Sequence, residues 1–293
     1  MQINEFWHWW QNLPGQINPV IIEFGGFKLQ YYGLMYLAGF SVIYSLVMYQ
    51  IKNKEFNVSF AHIESLSTAM ILGVILGGRL GYVLFYNLSY YLRHPLEIFI
   101  PFSFSNGITF TGISGMSYHG GLIGVIIAAW IFTFRNKLDF WEIADLYVPA
   151  IPLGYTFGRL GNFINGELYG RITTASFGMY FPYAPGPSLR HPSQLYEAFF
   201  EGIFLFAILW KLRKYNHIHG AMMAFYLMGY GIIRFCIEFF RQPDAHMGFV
   251  FLYFSAGQIL CSAMIIAGAG LYLYLCQRDK KRMILKPVEK SIG

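Results

Sequence analysis

The residues best suited to chemistry lie together where an apolar segment that opens near Ile143 comes to an end. Residues 158–171 read Gly-Arg-Leu-Gly-Asn-Phe-Ile-Asn-Gly-Glu-Leu-Tyr-Gly-Arg. Charged side chains are costly in lipid, so those at membrane depth usually face a cavity and a ligand. Arg159 offers a planar fork of donors for a phosphate or carboxylate, and Asn162 shares its face if the segment is helical. The stretch therefore predicts a ligand site. The other interpretation is that it is the glycine-rich end of a membrane span, whose polar residues anchor the chain at the membrane interface.

A second polar stripe interrupts a later apolar segment. Tyr230, Arg234 and Glu238 recur at a spacing of four residues, and Arg241 follows on the same side. At this spacing the side chains of a helix are neighbours. An internal ion pair that holds helices together is one interpretation. Two or three arginines beyond what nearby acids neutralise favour an anionic ligand instead, and a lipid phosphate is the anion found at this depth.

His119 is the third candidate group, at the start of an apolar segment and before two glycines. A histidine there is often an interfacial residue. With an ordinary pKa of about 6.5, it is also the side chain best suited to act as a general base.

The composition decides the class of protein. The 293 residues are 56% hydrophobic and 12% charged, whereas soluble domains carry about 25% charged residues. We therefore predict a polytopic membrane protein. The net charge of +6 would suggest nucleic acid in a soluble protein, but the basic residues lie largely at span ends and no nucleic-acid motif is present. The three cysteines lack metal-ligand spacing and indicate no disulfide framework.

The apolar segments predict an all-α fold of about seven transmembrane helices, since each segment approaches the roughly 20 residues that a spanning helix needs. They cover about residues 29–51, 63–86, 115–134, 143–163, 190–211, 220–240 and 249–276. A polar insertion at 164–194 predicts a small external cap between the fourth and fifth spans. Residues 1–30 predict an interfacial arm without the features of a removable signal peptide. Residues 277–293 form a basic tail, and the whole chain is one membrane domain.

Two further features concern the second span. Arg79 lies within it among glycines, so we expect this arginine to face the interior or to reach a membrane surface. The glycines predict close packing of another helix, and residues 87–111 predict a loop with re-entrant or interfacial character.

The distribution of basic residues predicts the orientation. Loops one, three and five and the tail hold 13 of the 21 lysines and arginines. Because cytoplasmic loops are enriched in basic residues, the C-terminus is expected in the cytoplasm and the N-terminus outside. His119, residues 158–171, the cap and Arg241 then lie toward the external side.

Residues 158–170 resemble the signature of the bacterial prolipoprotein diacylglyceryl transferases. That pattern runs Gly-Arg, any residue, Gly or Ala, Asn-Phe, an apolar residue, Asn, any residue, Glu, two residues and Gly, and every fixed position is met. The Tyr-His-Gly-Gly stretch at His119, the entry to the first span at Tyr32, the block at 190–197 and the segment from Tyr230 through Arg234 are similar to further family motifs. The resemblance covers about residues 31–258.

The resemblance implies transfer of the diacylglyceryl group of phosphatidylglycerol to the lipobox cysteine of prolipoproteins, the first step of lipoprotein maturation. The products are a thioether and glycerol phosphate, and neither a cofactor nor a metal is expected. It also implies a bacterial inner-membrane protein, whose external N-terminus, expected from the charge distribution, then lies in the periplasm. The expected partners are phosphatidylglycerol, the signal peptide with its lipobox cysteine, and membrane lipid, with no nucleic acid. The expected catalytic residues are His119, Arg159 and Arg234. The expected substrate-binding residues are Tyr32, Arg159, Asn162, Asn165, Glu167, Gly170, Tyr230, Glu238 and Arg241.

Two other functions compete with this one. A transporter for an anionic solute would be expected to show repeat symmetry and polar residues reaching both faces, but the chain has no clear repeat and its polar groups favour one face. A membrane scaffold would not need His119 and several arginines near one depth.

Overall fold

The computed structural model describes residues 3–24, 27–98, 100, 102–103, 109–110, 115–216, 218–242, 249–251 and 254–285. The chain divides into two compact units, residues 1–49 with 144–293 and residues 50–143. Each unit is described by itself. The end of the predicted tail, from residue 286, lies outside the described residues, as do parts of the predicted loop at 87–111.

Helices make up most of the described chain. They are α1 (Ile3–Gln16), α2 (Tyr31–Lys52), α3 (Phe60–Tyr86), α4 (Leu88–Arg93), α5 (Tyr118–Arg135), α6 (Phe140–Tyr147), α7 (Ile151–Ile164), α8 (Ser193–Tyr196), α9 (Leu205–Leu212), α10 (Ala221–Ile237) and α11 (Ala256–Leu285). Short 3-10 helices cover Pro95–Ile98 and Val148–Ala150. A π-helix at Glu197–Phe204 joins α8 to α9.

Within the described residues, three antiparallel strand pairs accompany the helices. They are β1 (Val20–Phe24) with β2 (Phe27–Gln30), β3 (Phe102–Ser103) with β4 (Thr109–Phe110), and β5 (Phe249–Phe251) with β6 (Phe254–Ser255). The β1–β2 pair leads directly into α2, so it fixes the entry to the first predicted span.

Four described helices are long and apolar enough to cross a membrane. They cover Tyr31–Lys52, Phe60–Tyr86, Tyr118–Arg135 and Ala256–Lys281. Large apolar side chains on them are exposed, including Phe85, Phe134 and Ile266, as expected where the surrounding solvent is lipid. The prediction of a helical polytopic membrane protein is therefore confirmed, and these helices match the first, second, third and seventh predicted spans.

The other three predicted spans are helical but shorter or interrupted. The fourth is divided by the 3-10 turn at Val148–Ala150, since Pro149 and Pro152 lack the backbone N–H that a regular α-helix uses. The fifth contains the π-helix, and α10 in the sixth has 17 residues. The total of seven spans remains a prediction.

Glycines bring α2 and α7 into backbone contact within the first unit. A side-chain carbon at Gly39 would lie 2.8 Å from the carbonyl oxygen of Gly154, and one at Gly161 would lie 3.1 Å from the Tyr32 ring. Small residues allow such close approach of membrane helices. The packing places Tyr32 against the part of α7 that carries Arg159.

The π-helix also packs directly on α7. The Thr156 hydroxyl donates to the carbonyl oxygen of Ala198 at 3.2 Å, and a side chain at Gly202 would overlap Thr156. A π-helix disturbs the regular backbone ladder, so this side-chain hydrogen bond satisfies a carbonyl there. Glu197 and Glu201 lie on this π-helix.

The predicted cap folds as an irregular segment held by backbone pairs. Gly170 pairs with Arg241, and Ile172 and Met179 each pair with Arg190. Phe163, Met179 and Phe181 form a buried cluster, against which Trp10 and Leu13 of α1 pack. The Gln11 carbonyl accepts a hydrogen bond from Tyr180 N at 2.7 Å. The N-terminal arm is thus a helix that packs on the cap, a contact that the sequence did not reveal.

In the second unit, α3 and α5 pack through glycines, as predicted. A side-chain carbon at Gly77 would lie 2.7 Å from Gly124 Cα. Arg79 faces the interior, since its Nε donates to the carbonyl of Ile98 at 2.8 Å and its guanidinium lies 5.0 Å from the Tyr91 ring centre. Arg79 therefore ties part of the 87–111 segment to α3.

Candidate active site

Arg159 heads a chain of polar contacts along α7. Its Nε donates to the Tyr155 hydroxyl at 2.6 Å, and its Nη1 donates to Asn162 Oδ1 at 3.2 Å. Asn162 Nδ2 in turn donates to Glu167 Oε1 at 2.8 Å. The expected helical spacing of Arg159 and Asn162 is confirmed, and this contact leaves the guanidinium in a defined orientation.

Arg234 is the second arginine of the site and lies on α10. Its Nη2 lies 3.5 Å from Glu238 Oε2, which confirms the predicted pair at a spacing of four residues. Ser255 Oγ, at the end of β6 and directly before α11, donates to Glu238 Oε1 at 3.0 Å and so helps to orient that carboxylate. The Tyr230 ring meets the Tyr155 ring edge to face at 6.0 Å, which brings the α10 stripe against α7.

Two glutamates that the sequence did not single out join these arginines. Glu197 and Glu201 lie on the π-helix and are fully buried. Glu197 Oε2 lies 2.8 Å from Arg159 Nε and 3.0 Å from Arg234 Nη1. Glu201 Oε1 lies 3.4 Å from Arg234 Nη1, and the Tyr155 hydroxyl donates to Glu201 Oε2. The signal that could have found them is two ionisable residues within an apolar segment.

These glutamates correct the charge argument made from the sequence. The two guanidinium groups of Arg159 and Arg234 face three carboxyl groups, those of Glu197, Glu201 and Glu238. The expectation that these arginines exceed the nearby acids is therefore wrong. The pairs also join α7, the π-helix and α10, so the interpretation as ion pairs between helices is correct for this cluster.

Both arginines nevertheless keep donors that their partners do not use. Within the described residues, neither Arg159 Nη2 nor Arg234 Nε donates a hydrogen bond. The two side chains are 17% and 10% exposed, which is more than the fully buried glutamates between them. The arginines can therefore offer donors to an anion without first losing every existing contact.

Tyr32 and Asn165 border the Arg159 side of the cluster. The Tyr32 hydroxyl lies 3.0 Å from that of Tyr36 and interacts with the Asn162 side chain. Asn165 ends α7, and its Oδ1 is buried without a hydrogen-bond partner among the described residues. An unpaired buried acceptor is costly, so Asn165 Oδ1 is suited to accept from a ligand hydroxyl.

Gly170 and Arg241 meet through their backbones. Gly170 N donates to the His191 carbonyl at 2.8 Å, and Arg171 N donates to the Phe240 carbonyl at 2.9 Å. A side chain at Gly170 would overlap the Phe240 carbonyl and lie 2.8 Å from His191 Cβ. Arg241 accepts from Arg171 Nε at 2.8 Å through its carbonyl. The geometry thus explains glycine at position 170 by backbone packing.

His119 is an exposed residue in the first turn of α5. Ser117 caps this helix by accepting from Gly120 N at 3.2 Å, and the rings of Tyr118 and His119 lie 5.7 Å apart. His119 belongs to the unit of residues 50–143 and the arginines to the other unit. Its place beside them remains a prediction.

Comparison with known proteins identifies the family. Residues 19–274 match the family described as prolipoprotein diacylglyceryl transferase. The chain belongs to the prolipoprotein diacylglyceryl transferase family. The matched residues include every predicted site residue from Tyr32 to Arg241, so the resemblance stated from the sequence is confirmed.

Relatives of known name cover nearly the whole chain. A protein of Chlorobaculum tepidum is 56% identical over 96% of this chain and 98% of its own length. One of Desulfotalea psychrophila is 46% identical over 92% and 97%, and one of Treponema denticola is 44% identical over 92% and 95%. All three are named phosphatidylglycerol–prolipoprotein diacylglyceryl transferase. The arginine cluster therefore lies in a member of a transferase family.

Proposed function

We propose that this protein transfers the diacylglyceryl group of phosphatidylglycerol to the thiol of a prolipoprotein cysteine. The observation that carries the proposal is the pair Arg159 and Arg234, joined by one buried carboxylate in a member of a diacylglyceryl transferase family. The transporter alternative has no comparable support, because the relatives are named for transfer.

The phosphate of the lipid binds at the unused donors of the two arginines. Arg159 Nη2 and Arg234 Nε donate no hydrogen bond within the described ranges, and charge-assisted hydrogen bonds from arginine to phosphate are short and strong. Asn162 and Glu167 orient Arg159 through the contacts given above. Asn165 Oδ1 and the exposed Glu167 carboxylate accept hydrogen bonds from the glycerol hydroxyls, and Tyr32 borders them.

The reaction breaks the bond between the diacylglycerol carbon and its phosphate oxygen. The cysteine sulfur attacks that carbon and forms a thioether, and glycerol phosphate leaves with one more negative charge. Fixed cations lower the barrier where such charge develops, which is the role of Arg159 and Arg234. A free thiol has a pKa of about 8.5, so a base is needed to supply thiolate. His119 takes the thiol proton, and the phosphate ester needs neither a cofactor nor a metal to leave.

A pH–rate profile tests the role of His119. If His119 is the base, the variant His119→Gln loses turnover more than lipid affinity, and the acidic limb of the wild-type profile disappears. The competing role is positioning of the head group, with the arginines alone activating the thiol. Near-wild-type turnover of His119→Gln with the same acidic limb would exclude His119 as the base.

The protein acts from the bacterial inner membrane with seven spans. The basic loops support a cytoplasmic C-terminus and a periplasmic N-terminus, with the cap at 164–194 on the periplasmic side. Its acceptor is an apolar signal peptide with a lipobox cysteine, which arrives through the bilayer. Reporters fused after Lys54, Lys137 and Lys214 should report cytoplasm, and one near Pro185 should report periplasm. A cytoplasmic signal at Pro185 contradicts the orientation.

Transfer itself is tested with purified protein, a lipobox peptide and phosphatidylglycerol that carries one label on its acyl chains and another on its glycerol head group. The expected result is the acyl label bound to the peptide and an equal amount of head-group label released as glycerol phosphate. A peptide with serine in place of cysteine is the control. Movement of intact lipid or solute without chemical change would support a carrier instead.

A further inference from the structure

Glu197 contacts both arginines of the cluster with a single oxygen atom. Its Oε2 lies 2.8 Å from Arg159 Nε on α7 and 3.0 Å from Arg234 Nη1 on α10. Among the described residues, no direct contact joins Arg159 to Arg234. Glu197 therefore links the two guanidinium groups directly.

A gain in folding stability does not explain why Glu197 is buried. It is fully buried, and its second oxygen, Oε1, has no hydrogen-bond partner in the part of the chain that the structure describes. The cost of removing a carboxylate from water can exceed what a buried ion pair returns. Glu197 also opens a π-helix, a rare turn that is frequent at functional sites.

The same contacts leave one nitrogen of each guanidinium without an acceptor among the described residues. On Arg159 the acceptors occupy Nε and Nη1, and on Arg234 they occupy Nη1 and Nη2. The nitrogens without an acceptor are Arg159 Nη2 and Arg234 Nε. A long arginine side chain loses rotamer freedom when it is fixed, so an acceptor that fixes two arginines in advance lowers the entropic cost of binding a ligand.

We infer that Glu197 is a positioning residue that holds Arg159 and Arg234 at the separation at which both donate to one lipid phosphate. Glu197 itself touches no substrate. The inference rests on the proposed function, because it assumes that the two arginines bind the phosphate. It predicts that a change at Glu197 acts through the arginines and not through the fold.

The test is the transferase kcat and KM for phosphatidylglycerol in Glu197→Gln, Arg159→Lys, Arg234→Lys and the two double variants. Glutamine keeps the shape of glutamate and loses its charge. We expect kcat/KM of Glu197→Gln to fall by roughly 100-fold, as for a misplaced reacting group. In either lysine background the same change should cost less than about tenfold, since residues that act together are not additive.

Asp145→Asn is the matched control for a buried carboxylate. Asp145 accepts from Gly220 N at 2.7 Å and Met222 N at 2.9 Å, at the end of α10 that is 14 residues, or about 21 Å, from Arg234. The Asp145→Asn protein should have a lower melting temperature than the wild type. Its kcat/KM should be unchanged at temperatures below the melting transition. Its effects should be independent of the arginine substitutions.

Glu197→Asp gives a second route if the glutamine variant does not purify folded. Aspartate keeps the charge but is one methylene shorter, so it cannot reach both arginines. It should also lose roughly 100-fold in kcat/KM. Full activity of Glu197→Asp, an effect of Glu197→Gln that multiplies with those of the lysine variants, or failure of both variants to fold would each overturn the inference.

Failure of the proposed function gives a different pattern. If Arg159→Lys and Arg234→Lys keep wild-type kcat/KM, the arginines do not hold the phosphate, whatever Glu197 does. If the lysine variants are impaired and Glu197→Gln is additive with them, the arginine assignment stands and only the positioning role is lost.

Discussion

Replacing Gly170 by alanine separates two explanations of the glycine that ends the signature. From the sequence, Gly170 was expected to contact substrate. In the structure, an added side-chain carbon would overlap the Phe240 carbonyl and lie 2.8 Å from both His191 Cβ and the His191 carbonyl oxygen. Two of these neighbours are backbone atoms, which cannot turn aside as the end of a flexible side chain can. The cap or the end of α10 must therefore move.

The magnitude follows from the contacts at this junction. Forcing extra volume into a packed site costs roughly 1–3 kcal/mol. The movement also strains the hydrogen bonds from Gly170 N to His191 and from Arg171 N to Phe240, each worth about 1 kcal/mol. We expect Gly170→Ala to lose about 3 kcal/mol of stability, which corresponds to a melting temperature lower by roughly 5–10 °C.

Thermal unfolding of the purified protein in detergent measures this loss, together with KM for phosphatidylglycerol below the melt. Gly270→Ala is the control, because the structure has open space beside Gly270 and alanine is favoured over glycine in a helix by about 1 kcal/mol. A Gly170→Ala protein with wild-type melting temperature and a raised KM would refute the packing explanation and return Gly170 to the substrate site.

Three further predictions concern the scaffold. Gly77→Leu should destabilise the α3–α5 contact by roughly 1–3 kcal/mol, since even a side-chain carbon would lie 2.7 Å from Gly124 Cα; an unchanged melting temperature would contradict that contact. Asp145→Asn should cost roughly 1–3 kcal/mol by leaving the backbone donors at the start of α10 poorly paired, and an unchanged melting temperature would show that α10 does not need these hydrogen bonds. Burial lowers the pKa of His191, so this imidazole binds a proton more readily in the unfolded chain than in the folded one. Wild-type stability should therefore fall as the pH drops below about 6.5, and His191→Gln should show a weaker decline. Identical pH dependence of the two melting temperatures would show that His191 does not cause the decline.

Local spacing was sufficient to predict part of the site. Arg159 with Asn162 and Arg234 with Glu238 lie three or four residues apart on single helices, so helical geometry alone brings each pair together. For Arg79, the cost of a charge in lipid left two positions open, the interior and a membrane surface, and the structure shows the interior position. These contacts depend on neighbours in the sequence and need no knowledge of the tertiary fold.

The link between Arg159 and Arg234 through Glu197 could not be predicted in this way. Glu197 lies 38 residues beyond Arg159 and 37 before Arg234 in the sequence, so only tertiary packing shows that one carboxylate reaches both. The π-helix that presents Glu197 has no sequence signature that we recognised. Because the sequence analysis did not assign Glu197 and Glu201 to the site, it overestimated the net positive charge of the site.

The interruptions of the predicted spans show a similar limit. Pro149 and Pro152 were visible in the sequence, but their effect is a 3-10 turn within an otherwise continuous helical segment. The packing of α1 on the cap through Gln11 and Tyr180 joins residues far apart in the chain. Composition identified the arm and the cap separately, and their contact depends on the three-dimensional fold.

The central claim is that Arg159 and Arg234 bind the phosphate of phosphatidylglycerol, and the most direct measurement is kcat/KM for this lipid in Arg159→Lys and Arg234→Lys. Arg135→Lys, at the exposed end of α5, is the control. Losing a charge-assisted contact costs roughly 1.5–3 kcal/mol, so each site variant should fall by roughly 10- to 100-fold while Arg135→Lys keeps wild-type activity. Wild-type kcat/KM in both site variants would contradict the account.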